Sequence, residues 1–244
     1  MTYCVGLKLK AGLVLLSDTR TNAGIDNIAR FRKMFVYEEP GERVVALMAA
    51  GNLGITQGVI TRVETAIKSG RIDPEFESIL NCDTLYRAAQ IVGDDMREVQ
   101  KRDRADIEAQ GSAADATLIV AGQRKGGELR LFVVYTAGNF IEAGEDTPFL
   151  QIGEHKYGKP ILDRVIKPET TLEEAIKAAL VSMDSTLRSN LSVGMPRDMA
   201  VIEVDTFHAK TQRIGQDHKE FRQISDSWAN ALREAFNGLP SVKI

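Results

Sequence analysis

A threonine, an aspartate and a lysine near the start of the chain have the chemistry of a hydrolytic site. Thr2 follows the initiator methionine, Asp18 comes 16 residues later, and Lys33 precedes an apolar segment. A threonine hydroxyl is a weak nucleophile, but an N-terminal threonine carries its own base, because its α-amine has an ordinary pKa of about 7.7–8.0. Removal of Met1 would therefore place nucleophile and base on one residue.

The other two residues are suited to adjusting that amine. An ammonium group beside the amine lowers its pKa and keeps more of it neutral near pH 7, and a carboxylate can hold such a lysine in place. Each residue also has an ordinary explanation, since small residues are common at position two, and Asp18 and Lys33 taken singly fit a turn or a surface ion pair. Taken together with Thr2, they predict an amide hydrolase.

The composition excludes several other classes of protein. The 244 residues are 43% hydrophobic and 27% charged, as in ordinary globular proteins. The net charge of −3 does not indicate a nucleic-acid partner, and no apolar run reaches the roughly 18 residues of a membrane helix. The two cysteines and three histidines lack disulfide or metal spacing. We therefore expect a cytoplasmic protein with no metal, cofactor or signal peptide.

The elements that must position these residues alternate between strands and helices. Hydrophobic patterns predict strands at 2–9, 12–18, 33–37, 43–50, 114–123, 128–135, 139–143, 199–205 and 211–214. Helical periodicity indicates helices at 53–69, 82–109, 154–165, 172–189 and 223–237. No segment resembles a linker, so we expect one domain over residues 1–244. Strand blocks that pair within themselves favour an α+β fold with two antiparallel sheets and helices outside both.

Motifs along most of the chain resemble the β-subunits of the proteasome, and most closely the bacterial Anbu family. The residues that carry the resemblance are MTYCVG at 1–6, SDTRTNAG at 17–24, FRKM at 31–34, MAAGN at 48–52, QIGE at 151–154 and YGKP at 157–160. The N-terminal motifs are specific, and the later ones support them. The resemblance implies the fold of the N-terminal nucleophile hydrolases, a four-layer αββα sandwich of two antiparallel sheets flanked by helices.

The same resemblance assigns catalytic roles. Thr2 is implied to be the nucleophile with its α-amine as the base, and Asp18 and Lys33 complete the catalytic set. Arg20 is implied to support Asp18. No cofactor is needed for this chemistry.

Three further residues are implied to form the oxyanion hole or the substrate cleft. Ala50 matches the position whose backbone N–H stabilises the oxyanion, a role that does not depend on side-chain identity. Asn22 falls where many relatives have a threonine that lines the cleft. Met48 would form the floor of the pocket for the residue before the cleaved bond, although a purely structural core position stays open.

Two positions depart from the family pattern around the α-amine. Glu154 occupies the place of a serine at the start of the helix after the second strand block. On a later loop, Asn190 stands where the family has an aspartate. Either Ser192 or Val193, before Gly194, stands where the family has a serine. Because these changes alter the hydrogen bonding around the amine, we expect a slow or narrow hydrolase.

The primary prediction is a threonine hydrolase that cuts peptide bonds inside a homo-oligomeric ring or open spiral. The assembly rests on the resemblance, and an ATP-driven partner stays unknown. We expect loss of Met1 alone to expose Thr2 without a propeptide, and an unprocessed chain to be inert. An amidase or acylase of a small amide and a non-catalytic assembly subunit stay open as alternatives. No nucleic-acid or membrane partner is predicted.

Overall fold

The computed structural model describes residues 2–22 and 28–242. Its strands are β1 Tyr3–Leu9, β2 Gly12–Asp18, β3 Arg20–Asn22, β4 Ile28–Arg30, β5 Met34–Glu39, β6 Arg43–Gly51, β7 Ala116–Arg124, β8 Arg130–Val134, β9 Phe140–Glu142, β10 Phe149–Gly153, β11 Arg197–Glu203 and β12 Ala209–Ile214. Its helices are α1 Leu53–Ile72, α2 Leu85–Ala109, α3 Lys159–Val165, α4 Leu172–Ser189 and α5 Lys219–Asn237.

Two five-stranded antiparallel sheets form the centre of the described structure. The first sheet has the order β10-β1-β2-β11-β12, and the second has the order β5-β6-β7-β8-β9. The strands β3 and β4 pair separately. Both sheets thus combine strands from different blocks of the sequence, because β1 pairs with β10 and β6 pairs with β7, so the expectation that each block pairs within itself holds only for hairpins such as β1–β2 and β7–β8.

Alternating side chains separate the layers. In β2, Leu13 and Leu15 pack between the two sheets, while Val14 and Leu16 face the helices α3, α4 and α5. On the opposite side, Leu47 of β6 packs against α1 and α2. Three apolar layers therefore join helix, sheet, sheet and helix, which confirms the predicted α+β four-layer sandwich.

Two differences from the predicted elements bear on the active site. The strand β10 was not predicted, yet it pairs with β1 and places Tyr3 opposite Gly153. The helix α3 begins at Lys159 and not near 154, with Gly158 as its N-cap and Pro160 in its first turn, where proline costs no intrahelical hydrogen bond. Glu154 therefore follows a strand and does not begin a helix.

The helix α4 begins with a local capping motif, and the helix α5 leaves most of its side chains exposed to solvent. The predicted start of α4 is confirmed by a capping box between Thr171 and Glu174. On α5 only Phe221 and Ser225 are buried, and apolar side chains in its second half are exposed. None of the described helices is long and apolar enough to cross a membrane.

Candidate active site

A buried ion pair lies at the end of β2. Asp18 is the last residue of that strand, and Lys33 immediately precedes β5. The Lys33 Nζ lies 2.8 Å from Asp18 Oδ1, and the two side chains are 7% and 0% exposed. The sequence prediction that these residues act together is thus supported by their contact.

Asp18 accepts hydrogen bonds on both carboxylate oxygens. Oδ1 accepts from Tyr3 N at 3.1 Å as well as from Lys33, and Oδ2 accepts from the backbone N of Arg20 and of Gly194, each at 3.2 Å. Burial raises the pKa of Asp18, while the Lys33 ammonium and the backbone N–H groups act in the opposite direction. Because every partner is a donor, the site fits the carboxylate form.

Arg20 supports this pair in two ways. Its carbonyl oxygen accepts a hydrogen bond from Lys33 Nζ, which fixes the direction of the ammonium. Its guanidinium donates to the carbonyl of Leu191 at 2.7 Å and so joins β3 to the segment after α4. The predicted position of Arg20 near Asp18 therefore agrees with the structure.

Thr2 is held in place directly before the start of β1. Its carbonyl accepts a hydrogen bond of 2.6 Å from Glu154 N, and the residue is 8% exposed. Gly153 has a φ of 80°, and a Cβ there would come 2.0 Å from the Thr2 carbonyl oxygen. Glycine is therefore needed at 153, both for its backbone conformation and for the close approach of β1.

A cavity of about 300 Å³ brings Thr2 and Lys33 to one surface. Its walls come from the ends of β3, β5 and β6 and from one face of α1. The lining residues are Thr2, Thr21, Arg32, Lys33, Phe35, Ala49, Ala50, Gly51, Leu53, Thr56, Gln57 and Ile60. An amide substrate in this cavity would lie beside the nucleophile and the ammonium group.

The backbone direction of β6 places a different residue in the predicted oxyanion role. The Ala49 N–H donates to the Lys33 carbonyl at 2.9 Å and so faces the β5 side of the strand. Peptide groups alternate along a strand, so the Ala50 N–H faces β7, where Thr117 is its register partner. The Gly51 N–H again faces the β5 side, past the end of that strand. Ala50 therefore lines the cavity, but Gly51 is better oriented to donate into it.

Of the other two predicted cleft residues, Met48 does not line the cavity. Met48 is fully buried in the layer between the sheets, because period-two alternation turns its side chain away from α1. It is therefore a core residue and not the floor of the cavity. Asn22 ends β3, but its side chain lies outside the described part of the chain.

The two family departures contact each other. Glu154 Oε2 accepts a hydrogen bond from Asn190 Nδ2 at 3.2 Å, and both residues are at most 9% exposed. Asn190 also accepts from Ser192 N at 2.9 Å, whereas Val193 packs into the outer apolar layer. Glu154 and Asn190 thus form a buried polar pair, and the backbone N–H of Glu154 connects this pair to the Thr2 carbonyl.

Several lining residues were not foreseen from the sequence. Thr56 and Gln57 lie on α1 where it faces the cavity, and Thr56 is buried in spite of its hydroxyl. A polar residue on the apolar face of a helix is the signal that could have indicated a site. Gly51 has a φ of 107° at the end of an apolar strand, which is a second such signal. Among the described residues no cluster of His, Cys, Asp or Glu could hold a metal ion.

Comparisons with known proteins agree with this architecture. The model of the proteasome subunit family matches residues 2–202. The chain is 46% identical to an Anbu (Gly-1) mutant from Hyphomicrobium sp. strain MC1, with a TM-score of 0.91 and full coverage of both chains. It is 44% identical to Anbu (ancestral beta-subunit) from Yersinia bercovieri, covering 99% of this chain and 100% of that one, with a TM-score of 0.90.

A third solved structure is described as a helical assembly of the Anbu complex from Pseudomonas aeruginosa. It is 44% identical, with coverage of 99% of this chain and 98% of that one and a TM-score of 0.91. A search of curated proteins finds no match. The family model and the full-length similarity show that this chain belongs to the proteasome subunit family, in its Anbu branch.

Proposed function

We propose that the chain is a threonine hydrolase that cleaves amide bonds through an acyl intermediate on Thr2. The observation that carries this proposal is the buried Asp18–Lys33 ion pair, whose ammonium lies on the same 300 Å³ cavity as Thr2. The cationic Lys33 favours the neutral form of a nearby amine, which is the form that can accept a proton. Loss of Met1 is required, because the base is the freed α-amine.

The reaction proceeds by acyl transfer. As the Thr2 oxygen forms a bond to the amide carbon, the hydroxyl proton moves to the α-amine, and the Gly51 N–H stabilises the oxyanion. The C–N bond then breaks, and the leaving amine takes the proton from the α-ammonium. Water next attacks the ester carbon and gives a proton to the α-amine. The bond between that carbon and the Thr2 oxygen then breaks, the Thr2 oxygen takes the proton from the α-ammonium, and the carboxylic acid leaves.

Labelling of a processed sample tests this proposal. Intact mass first establishes that Met1 is absent, and the protein is then treated with an electrophile directed at N-terminal threonine. We expect one adduct per subunit on Thr2, and none on a sample that retains Met1. A Met1-free sample that gives neither an adduct nor turnover of any amide would show that the chain is a non-catalytic assembly subunit.

The size of the substrate is a second question about the same chemistry. A cavity of about 300 Å³ is at the lower limit for ligand pockets and has room for one large side chain. A small amide would fill it, and so would one residue of a peptide that continues outside. Turnover of matched panels of peptides and small amides separates the peptidase from the amidase or acylase.

We also propose that the chain works as a homo-oligomer. Its Pseudomonas aeruginosa relative is described as a helical assembly. In this chain the second half of α5 exposes apolar side chains: Leu232 is 50% exposed and Phe236 is 73% exposed. Exposed apolar residues that follow one helix face favour burial against another protein surface, and a second copy of the chain is the partner that the relative suggests.

Charges placed on that face of α5 are expected to weaken the assembly. Each of Leu232→Glu and Phe236→Glu should raise the dissociation constant between subunits at least about tenfold, because burying such a side chain contributes about 1.5–3 kcal/mol. Mass photometry over a range of concentrations measures the change. The control is Asn230→Glu, which adds the same charge on the polar side of α5, beside Arg233. Equal assembly of all three variants would contradict the role of this face.

A further inference from the structure

The charged lining of the cavity is positive. Of the lining residues that the structure describes, only Arg32 and Lys33 have charged side chains, and no aspartate or glutamate is among them. Lys33 is neutralised by Asp18 at 2.8 Å. Arg32 is exposed and directly precedes Lys33 in the chain. One full positive charge is therefore available at the mouth of the cavity.

Arg32 has no carboxylate partner among the residues that the structure describes, 2–22 and 28–242. In the described part of the chain no carboxylate forms an ion pair or a hydrogen bond with its guanidinium. Arg32 also borders a second cavity of about 290 Å³, which contains Asp198. Both oxygens of that carboxylate are already bound by Arg213, at 2.8 and 3.1 Å.

Glu64 and Arg32 both act electrostatically on Tyr37, so Glu64 offsets part of the positive charge of Arg32 from outside the cavity lining. Glu64, farther along α1, accepts a hydrogen bond of 3.2 Å from the Tyr37 hydroxyl. It does not line the cavity. The other lining residues near the mouth are apolar or neutral, such as Phe35 and Gln57. A guanidinium at the exposed mouth of such a cavity donates two parallel hydrogen bonds to a carboxylate, and this contact strengthens as the bound substrate displaces water from it.

We propose that Arg32 is a specificity residue that selects amide substrates with a carboxylate on the group that enters the cavity. This inference rests on the proposed function for its meaning as substrate choice. The favoured substrates are acyl groups with an acidic side chain, and the apolar walls contact the carbon chain that carries the acid. Neutral amides of the same shape bind more weakly because they leave the guanidinium without a partner.

The kinetic test uses matched fluorogenic peptide amides that differ only in the last residue of the acyl part, either glutamate, glutamine or leucine. On Met1-free protein we expect kcat/KM for the glutamate substrate to exceed that for the glutamine substrate by about 10- to 100-fold, mostly through KM. Arg32→Gln should abolish this ratio by lowering kcat/KM for the glutamate substrate relative to both the glutamine and the leucine substrates. Arg32→Lys should retain part of the ratio.

A matched control and a binding measurement make the result independent of turnover. Arg30→Gln removes an exposed arginine from β4, outside the cavity, and should leave the ratio unchanged. Calorimetric titration of Thr2→Ala with the corresponding glutamate and glutamine peptides should show the same preference, which decreases with added salt. An Arg32→Gln variant with an unchanged preference, or a native protein without one, would overturn the inference. Absence of both turnover and labelling would instead reject the proposed function, while the titration still tests Arg32.

Discussion

Replacing Thr2 by alanine is expected to reduce amide turnover by at least about 10⁴-fold, because in the proposed mechanism Thr2 alone among the described lining residues supplies a nucleophile with its own base. The variant loses only a hydroxyl and a methyl group from a residue that is 8% exposed. The backbone bonds of Thr2 and Tyr3 to Glu154 and Asp18 do not depend on that side chain. Circular dichroism and assembly size should therefore match those of the native protein while turnover disappears.

Two controls define this result. Thr2→Ser keeps a hydroxyl and should retain measurable acylation in intact mass spectra. Thr56→Ala removes another hydroxyl from the cavity lining, one that donates to the Leu53 carbonyl at 3.0 Å, and should retain turnover. If Thr2→Ala keeps the native rate, the nucleophile is elsewhere and the proposed mechanism is wrong.

The second large expected effect concerns the Asp18–Lys33 ion pair, whose loss should lower both the free energy of unfolding and the turnover. We expect Asp18→Ala to lower the free energy of unfolding by about 3–5 kcal/mol, since it leaves the buried Lys33 ammonium without its counter-ion. Lys33→Met leaves the carboxylate unpaired and should also destabilise the protein. Both variants should lose turnover. Urea unfolding at a fixed subunit concentration measures the first quantity, because assembly contributes to apparent stability.

The double variant separates the structural role of the pair from the catalytic one. Asp18→Ala combined with Lys33→Met leaves neither charge unpaired, so its loss of stability should be smaller than the sum of the two single losses. Turnover should stay absent, because the α-amine still lacks its ammonium neighbour. Lys125→Met, which breaks the exposed Lys125–Glu42 pair, serves as the comparison and should cost less than about 1 kcal/mol. Additive losses in the double variant would contradict the coupling.

Most of the fold could be predicted from local patterns. The helix α4 has the predicted bounds because Thr171 and Glu174 mark its start chemically. The strand β10 was missed because five residues at a sheet edge carry too short an alternation to indicate a strand, and its pairing with β1 is a long-range contact. The start of α5 was predicted four residues late, since its first turn is defined by the His218 cap and not by apolar residues.

The site was predicted in part. The spacing of Thr2, Asp18 and Lys33 and the family resemblance predicted a set of residues of which Asp18 and Lys33 form an ion pair and Thr2 and Lys33 line one cavity. Side-chain patterns, however, do not show which way a peptide group points. The direction of the Gly51 N–H is set by the bond between Ala49 and the Lys33 carbonyl, which no sequence pattern records.

The hydrogen bonds that fix Thr2 and Tyr3 limit when Met1 can be removed. The Thr2 carbonyl is bonded to Glu154 N, Tyr3 N is bonded to Asp18, and Thr2 itself is almost fully covered. An exopeptidase needs a terminus that is free to enter its own cleft. The proposed mechanism therefore requires that Met1 be removed during synthesis or before β1 joins β10, so that the removal of Met1 competes in time with folding.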